Sequence, residues 1–290
     1  MERHSETQRL KWALGISLIY FFAELIAGFL TNSLALLSDA GHMVSDMGAL
    51  GLSLFAFRMA SRPATHFSTF GFHRVEILAA LFNGLTLWLI VGIIWTAAYN
   101  RFYEPPVVES YGMMIVAVVG LLINLAAAAI LRGGHHHNLN LRGAFLHVVS
   151  DAVGSLGAIL AGVIMVATGW YLADPLISVF IGALILFSSW SLVRDSVSVL
   201  MQSVPKGIRL DEVRQTIEAV EGVSEVHDLH VWAVTSDIFT LSAHAVVANG
   251  GDFHHVLNCI EDILRERFHI EHTTIQLETE SREEKEFKKF

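Results

Sequence analysis

Between residues 12 and 200 the chain runs through six apolar stretches separated by short polar links. Each is about twenty residues or longer, which at 1.5 Å per residue matches the ~30 Å hydrocarbon thickness of a bilayer. In lipid every backbone N–H and C=O must be satisfied inside the protein, so only helices or closed barrels can cross. Continuous apolar runs without period-two alternation select helices. The expected spans are Trp12–Leu30, Leu34–Phe57, Glu76–Asn100, Tyr111–Leu131, Gly143–Thr168 and Leu172–Val193. The first is too long for a signal-peptide core and lacks a convincing small-residue cleavage site, so it reads as a retained helix.

After Val204-Pro205 the pattern changes. Asp211–Val220 and Asp252–Phe268 have helical spacing, while Val223–Val231, Ile238–Val247 and Thr273–Leu277 read as strands. The order α-β-β-α-β suits a two-layer α+β domain. The expected fold class is therefore an α-helical membrane protein, with six transmembrane helices in residues 1–204. A small cytoplasmic α+β domain follows over 205–280, then a charged tail, 281–290.

Charge is unevenly spread. The chain carries −9 overall, and from residue 205 onward 17 acidic side chains face 9 basic ones. A negative soluble domain argues against nucleic acid as a partner. The single Cys259 excludes a disulfide within one chain and any CxxC zinc site. Lysine and arginine set the orientation. With the N-terminus in the cytoplasm, nine basic residues (Arg3, Arg9, Lys11, Arg58, Arg62, Arg74, Arg132, Arg142, Arg194) fall on the inner side and Arg101 alone on the outer. Both termini are then expected in the cytoplasm, in a multi-pass protein of the lipid bilayer. The small size and short histidine loop favour a bacterial inner membrane.

Fifteen histidines are the anomaly of composition. Two of them open one repeated pattern inside the second and fifth spans, His42-x-x-x-Asp46 and His147-x-x-x-Asp151. Residues four apart share one helix face, and ionisable groups inside a membrane are costly and functional by default. Two such faces turned together supply two imidazoles and two carboxylates, a shell suited to tetrahedral Zn2+. The carboxylates offset the +2 charge, and when the ion leaves they need protons or water, which links metal release to proton binding. The bland alternative is a polar clasp between helices. Gly48, Gly51, Gly154 and Gly157 in these two spans let backbones approach, so the spans are expected to pack together.

Further polar intrusions are Asp39 and Glu24, which can extend an ion path, and Asn83 and Asn124, which read as interhelical hydrogen-bonding groups. In the loop after the second span, His66 and His73 can relay metal, with Arg74 and Glu76 as anchors. His135, His136 and His137 follow two glycines in a later loop and suit weak metal capture. In the soluble domain, antiparallel pairing can bring His227 beside His244, and Glu278 at the end of the last strand can complete a site. No HExxH occurs, and a four-residue shell leaves no open coordination position, so transport is expected and catalysis is not.

Five segments in order resemble the cation diffusion facilitator family, most closely its zinc-transporting members. They are Ser33–Asp46 (SLALLSDAGHMVSD), Phe70–Glu76 (FGFHRVE), Leu146–Asp151 (LHVVSD), His227–Trp232 (HDLHVW) and Thr274–Glu278 (TIQLE). The resemblance implies a homodimer of six-helix protomers with cytoplasmic metallochaperone-like, ferredoxin-like domains. It implies proton-coupled export of divalent metal, with His42, Asp46, His147 and Asp151 as the transport site. Some relatives carry Asp in place of the first of these four and admit cadmium more readily, so His42 leans towards Zn2+. Some relatives have a histidine in the last strand where this chain has Gln276, which implies a reduced cytoplasmic zinc site of His227, His244 and Glu278. The loop site of other relatives includes an acid, and Ser68 and Thr69 supply none here.

Overall fold

A computed structural model describes residues 2–132, 139–235, 238–248 and 252–280. Six long helices come first: α1 (Glu2–Thr31), α2 (Leu34–Ala60), α3 (Arg74–Tyr103), α4 (Ser110–Arg132), α5 (Leu139–Thr168) and α6 (Ala173–Leu200). Each expected span maps onto one of them, and the helices run past the apolar limits into polar sequence. Hydropathy marks only the segment that lipid would cover, whereas helical hydrogen bonding continues wherever the next residue can extend it. Among the described residues four helices, α3 to α6, are long and apolar enough to cross a membrane, and α1 adds a shorter apolar segment, Leu18–Thr31.

The chain forms two compact units, Met1–Gly51 with Phe82–Ser191, and Leu52–Leu81 with Leu192–Phe290. In the first, α4 packs along α5 and α1 along α4. Its core combines small residues of several helices, among them Ala35, Ala117 and Ala161, with larger ones such as Leu36, Val91, Met113 and Ile181. Small side chains let helices approach where lipid removes any hydrophobic reason to associate. Large apolar side chains point the other way: Ile19, Phe29, Leu30, Phe82, Leu89 and Phe187 are between 64% and 84% exposed. In water that surface would be an aggregation hazard, and in lipid it is the solvated face.

The second unit contains α7 (Leu210–Glu218), β1 (Val223–Thr235), β2 (Ile238–Val247), α8 (Phe253–Phe268) and β3 (Ile270–Glu278). The sheet order is β1-β2-β3, with β1 antiparallel and β3 parallel to β2. Residues Leu241, Ala243, Ala245 and Val247 alternate along β2 onto the face covered by Val213 and Ile217 of α7 and Val256, Ile260 and Leu264 of α8. β1 and β3 are longer than the sequence pattern suggests, because pairing with β2 continues through polar positions such as Thr235 and His272. Asp252 caps α8, accepting hydrogen bonds from the backbone N–H of His254 at 3.0 Å and His255 at 3.2 Å. Asp252→Ala is expected to cost about 1 kcal/mol of domain stability, measured by denaturant unfolding, and an unchanged midpoint would show that the cap contributes nothing.

Candidate metal sites

In the first unit, His42 of α2 and Asp151 of α5 approach each other, with His42 Nε2 3.8 Å from Asp151 Oδ1 and both side chains about 15% exposed. Asp46 and His147 lie one turn away in the same helices. Their side chains lie outside the described part of the structure. The 3.8 Å gap exceeds the ~3.3 Å between ligand atoms of a tetrahedral zinc shell, so a small inward movement would close it.

Two more acids stand beside this pair. Glu24 and Asp39 are buried, close enough to interact electrostatically, and Glu24 is also within electrostatic range of Asp151. Tyr20 donates a hydrogen bond to Glu24 Oε1 at 2.9 Å. Glycines make the room. A Cβ at Gly120 of α4 would collide with the Tyr20 hydroxyl, and one at Gly154 of α5 would sit 3.7 Å from Asp39 Oδ1. Gly154 lies three residues beyond Asp151, so Asp39 meets the same face of α5. So much buried acid in low dielectric demands a compensating cation or protons. Asn83 accepts a hydrogen bond from Ser45 Oγ at 3.2 Å, a polar tie between α2 and α3. Asn124 of α4 is buried.

In the second unit, the β1–β2 register sets His227 directly opposite His244, and the β2–β3 register sets His244 beside Gln276 and Val246 beside Glu278. These side chains project from the sheet face opposite α7 and α8. The two imidazoles lie edge to face, centroids 5.2 Å apart. Glu278 spans them, with Oε2 3.5 Å from His227 Nε2 and Oε1 3.3 Å from His244 Nδ1. These separations are close to the ~3.3 Å edge of a tetrahedral zinc shell. Ligand atoms of all three residues fall within 4.8 Å of one another. Gln276 donates from Nε2 to Glu278 Oε1 at 2.6 Å and so orients the carboxylate. The donor set, two imidazoles and a buried carboxylate, fits Zn2+ and leaves a fourth position. His230, only three residues from His227, is not part of the cluster. A bulge with Asp228 at φ 47 separates them, and His230 Nε2 pairs instead with Asp228 Oδ1 at 2.8 Å.

The loop between α2 and α3 belongs to this second unit. His66 is exposed. His73 lines a cavity of about 490 Å3 together with Arg62, Thr240 and His272. Phe70 packs edge-on against His272 at 5.7 Å, and Glu76 accepts a hydrogen bond from Thr235 Oγ1 at 3.2 Å. His135, His136 and His137 lie outside the described residues. The sequence reading left two partners unassigned: Tyr20 behind Glu24, and Asp174 at the start of α6. The signal for the second was an Asp-Pro pair opening an apolar span.

A family model for the cation efflux transmembrane domain matches residues 10–201, and one for the cation efflux protein cytoplasmic domain matches residues 205–280. The chain is 46% identical over 266 residues to the cadmium, cobalt and zinc/H+–K+ antiporter of Bacillus subtilis, covering 90% of this chain and 86% of that one. It is 40% identical over 277 residues to the zinc transporter ZitB of Shigella flexneri, covering 94% and 88%. Among solved structures, the metal-bound C-terminal domain of the CzcD transporter from Cupriavidus metallidurans is 39% identical, covering 24% of this chain and 99% of that domain, with a TM-score of 0.24.

Proposed function

This chain belongs to the cation efflux family, the cation diffusion facilitators, and from that membership we propose a metal cation efflux antiporter that exports Zn2+ from the cytoplasm in exchange for protons. The observation that carries the reading is the approach of His42 to Asp151 among buried acids. With Asp46 and His147 one turn away, the two helices offer two imidazoles and two carboxylates to one ion.

Zinc is the cargo. The carboxylates of Asp46 and Asp151 offset its double charge, so the loaded site is near neutral inside the bilayer. The ligands bind metal only when deprotonated, so protons arriving from the far side compete the ion off. Protonated ligands then return without metal. Alternating exposure of the site to the two sides turns that competition into antiport. Glu24 and Asp39 extend the acidic path next to the site.

Residues 1–204 form the transport domain, with six membrane helices and both termini in the cytoplasm of a bacterial inner membrane. Residues 205–280 form the cytoplasmic domain through which two copies pair. His227, His244 and Glu278 would hold a zinc ion there, which lowers the repulsion between two acidic domains and tightens the homodimer.

The test is zinc uptake into proteoliposomes of purified protein, with and without a pH gradient. Gradient-driven uptake is expected. In His42→Asp, cadmium uptake should rise about tenfold relative to zinc, about 1.4 kcal/mol of differential binding. Absence of zinc flux through folded, zinc-binding protein would overturn the antiporter reading.

A further inference from the structure

Asp174 is fully buried at the first turn of α6, and it serves a different helix. Its Oδ2 accepts the backbone N–H of Leu34 at 2.8 Å, and its Oδ1 accepts the N–H of Ala35 at 3.2 Å and the Ser33 hydroxyl at 2.7 Å. Ser33 Oγ in turn accepts the N–H of Leu36 at 3.3 Å, and the Ser33 N–H donates to the Gly28 carbonyl at 3.0 Å. All four N–H groups that the start of a helix leaves unpaired are therefore satisfied at α2. The carboxylate also faces the positive end of the α2 dipole.

Arg101, at the end of α3, closes the arrangement. Its Nη1 donates to Asp174 Oδ2 at 3.1 Å and to the Asn32 carbonyl at 2.8 Å, and its Nη2 donates to Asn32 Oδ1 at 3.0 Å. Asn32 holds a left-handed φ of 54° in the turn between α1 and α2, a conformation asparagine tolerates. This is the same Arg101 that stands alone against the positive-inside distribution. Its place is explained by one buried carboxylate, since breaking such a pair leaves an uncompensated charge.

The clamp bears on the metal site through α2. Further along, α2 packs against its neighbours: a Cβ at Gly28 of α1 would come within 2.8 Å of Leu37, one at Gly41 within 3.1 Å of Ile90 of α3, and Ser45 bonds Asn83 of α3 at 3.2 Å. The clamp fixes the position and rotation of the first turn, and the rest of α2 continues from it with helical geometry. His42 stands eight residues after Leu34, about 12 Å along the axis. A frayed or rotated first turn would move its imidazole away from Asp151.

We propose that Asp174 and Arg101 are positioning residues of the transport site, which hold α2 by its N-terminus so that His42 meets Asp151 at metal-binding distance. The proposal rests on the reading of His42 and Asp151 as metal ligands.

Asp174→Asn keeps the shape but offers an amide NH2 where two N–H donors need an acceptor. Zinc KM in proteoliposomes, normalised to folded protein, is expected to rise about tenfold, in the ~10–100-fold range that loss of a ligand-orienting partner costs. The zinc-to-cadmium ratio should fall with it. Asp174→Glu, which keeps a carboxylate, should recover most of the loss. Arg101→Lys keeps the charge but gives up the paired grip, and a severalfold rise in KM is expected. A clamp that serves stability alone would lower the yield of folded protein and leave KM and the metal ratio unchanged, and that result would overturn the proposal. If Asp174→Asn does not fold, Arg101→Lys decides by the same criterion. His42→Ala separates the two layers. Lost flux there with unchanged KM in the clamp variants sinks this inference alone, whereas full flux in His42→Ala removes the site reading beneath it.

Discussion

Asp151→Ala should reduce proton-driven zinc uptake more than about a hundredfold while leaving a folded, dimeric protein. Loss of an outer partner already costs ~10–100-fold in metal affinity, and loss of a ligand itself with its charge costs more, every 1.4 kcal/mol being about tenfold. The loss has two parts. One ligand of four disappears, and half of the negative charge that makes Zn2+ tolerable in low dielectric disappears with it. The fold has no comparable dependence on this carboxylate. Alanine is a better helix former than aspartate, and removing an ionisable group from the bundle lowers the cost of keeping the helix in lipid. The measurement is zinc flux in vesicles beside size-exclusion and circular-dichroism checks of the same preparation. Uptake within a few-fold of wild type would sink the assignment of the metal site. Lowering the pH on the release side should speed unloading of the wild-type protein, because protons compete for the same imidazoles and carboxylates.

The second large effect is expected in the soluble domain. Glu278→Gln preserves the shape of the side chain that spans His227 and His244 but removes its charge. Zinc affinity at this site should fall by more than the ~10–100-fold that loss of an outer partner costs. Gln276→Ala removes such an outer partner, the 2.6 Å hydrogen bond to Glu278 Oε1, and should cost about tenfold. Both are read by zinc titration of the full-length protein carrying Asp151→Ala, so that the transport site does not add to the signal. Equal affinity in Glu278→Gln and its parent would show that the cluster is not a zinc site. If zinc at this site offsets the acidic charge of each domain in the proposed homodimer, Glu278→Gln should also weaken self-association at low salt, where charge repulsion reaches furthest.

Much of this protein is readable from local sequence. Apolar run length is set by bilayer thickness, so the long helices follow from residues that need no knowledge of their neighbours. The His-x-x-x-Asp spacing likewise places an imidazole and a carboxylate on one helix face by helix geometry alone. Strand periodicity was enough to propose His227 opposite His244, because an antiparallel hairpin has few registers that keep Leu241, Ala243 and Ala245 buried.

Other features depend on which elements meet. Whether His42 faces Asp151 is decided by the rotation of two helices that share no local sequence. The separation of His230 from the cluster depends on one bulge at Asp228, which shifts the strand by a single residue. The role of Asp174 was invisible for the same reason. Its partners lie about 140 positions away at Ser33, Leu34 and Ala35, and one acid at a helix start reads as an ordinary cap of its own helix. By itself the sequence determined the elements and the faces on which their histidines and carboxylates lie, because helical and strand periodicity are properties of consecutive residues. Only the tertiary structure decided which faces meet, because packing, capping across helices and buried charge pairing are properties of distant residues brought into one low-dielectric space.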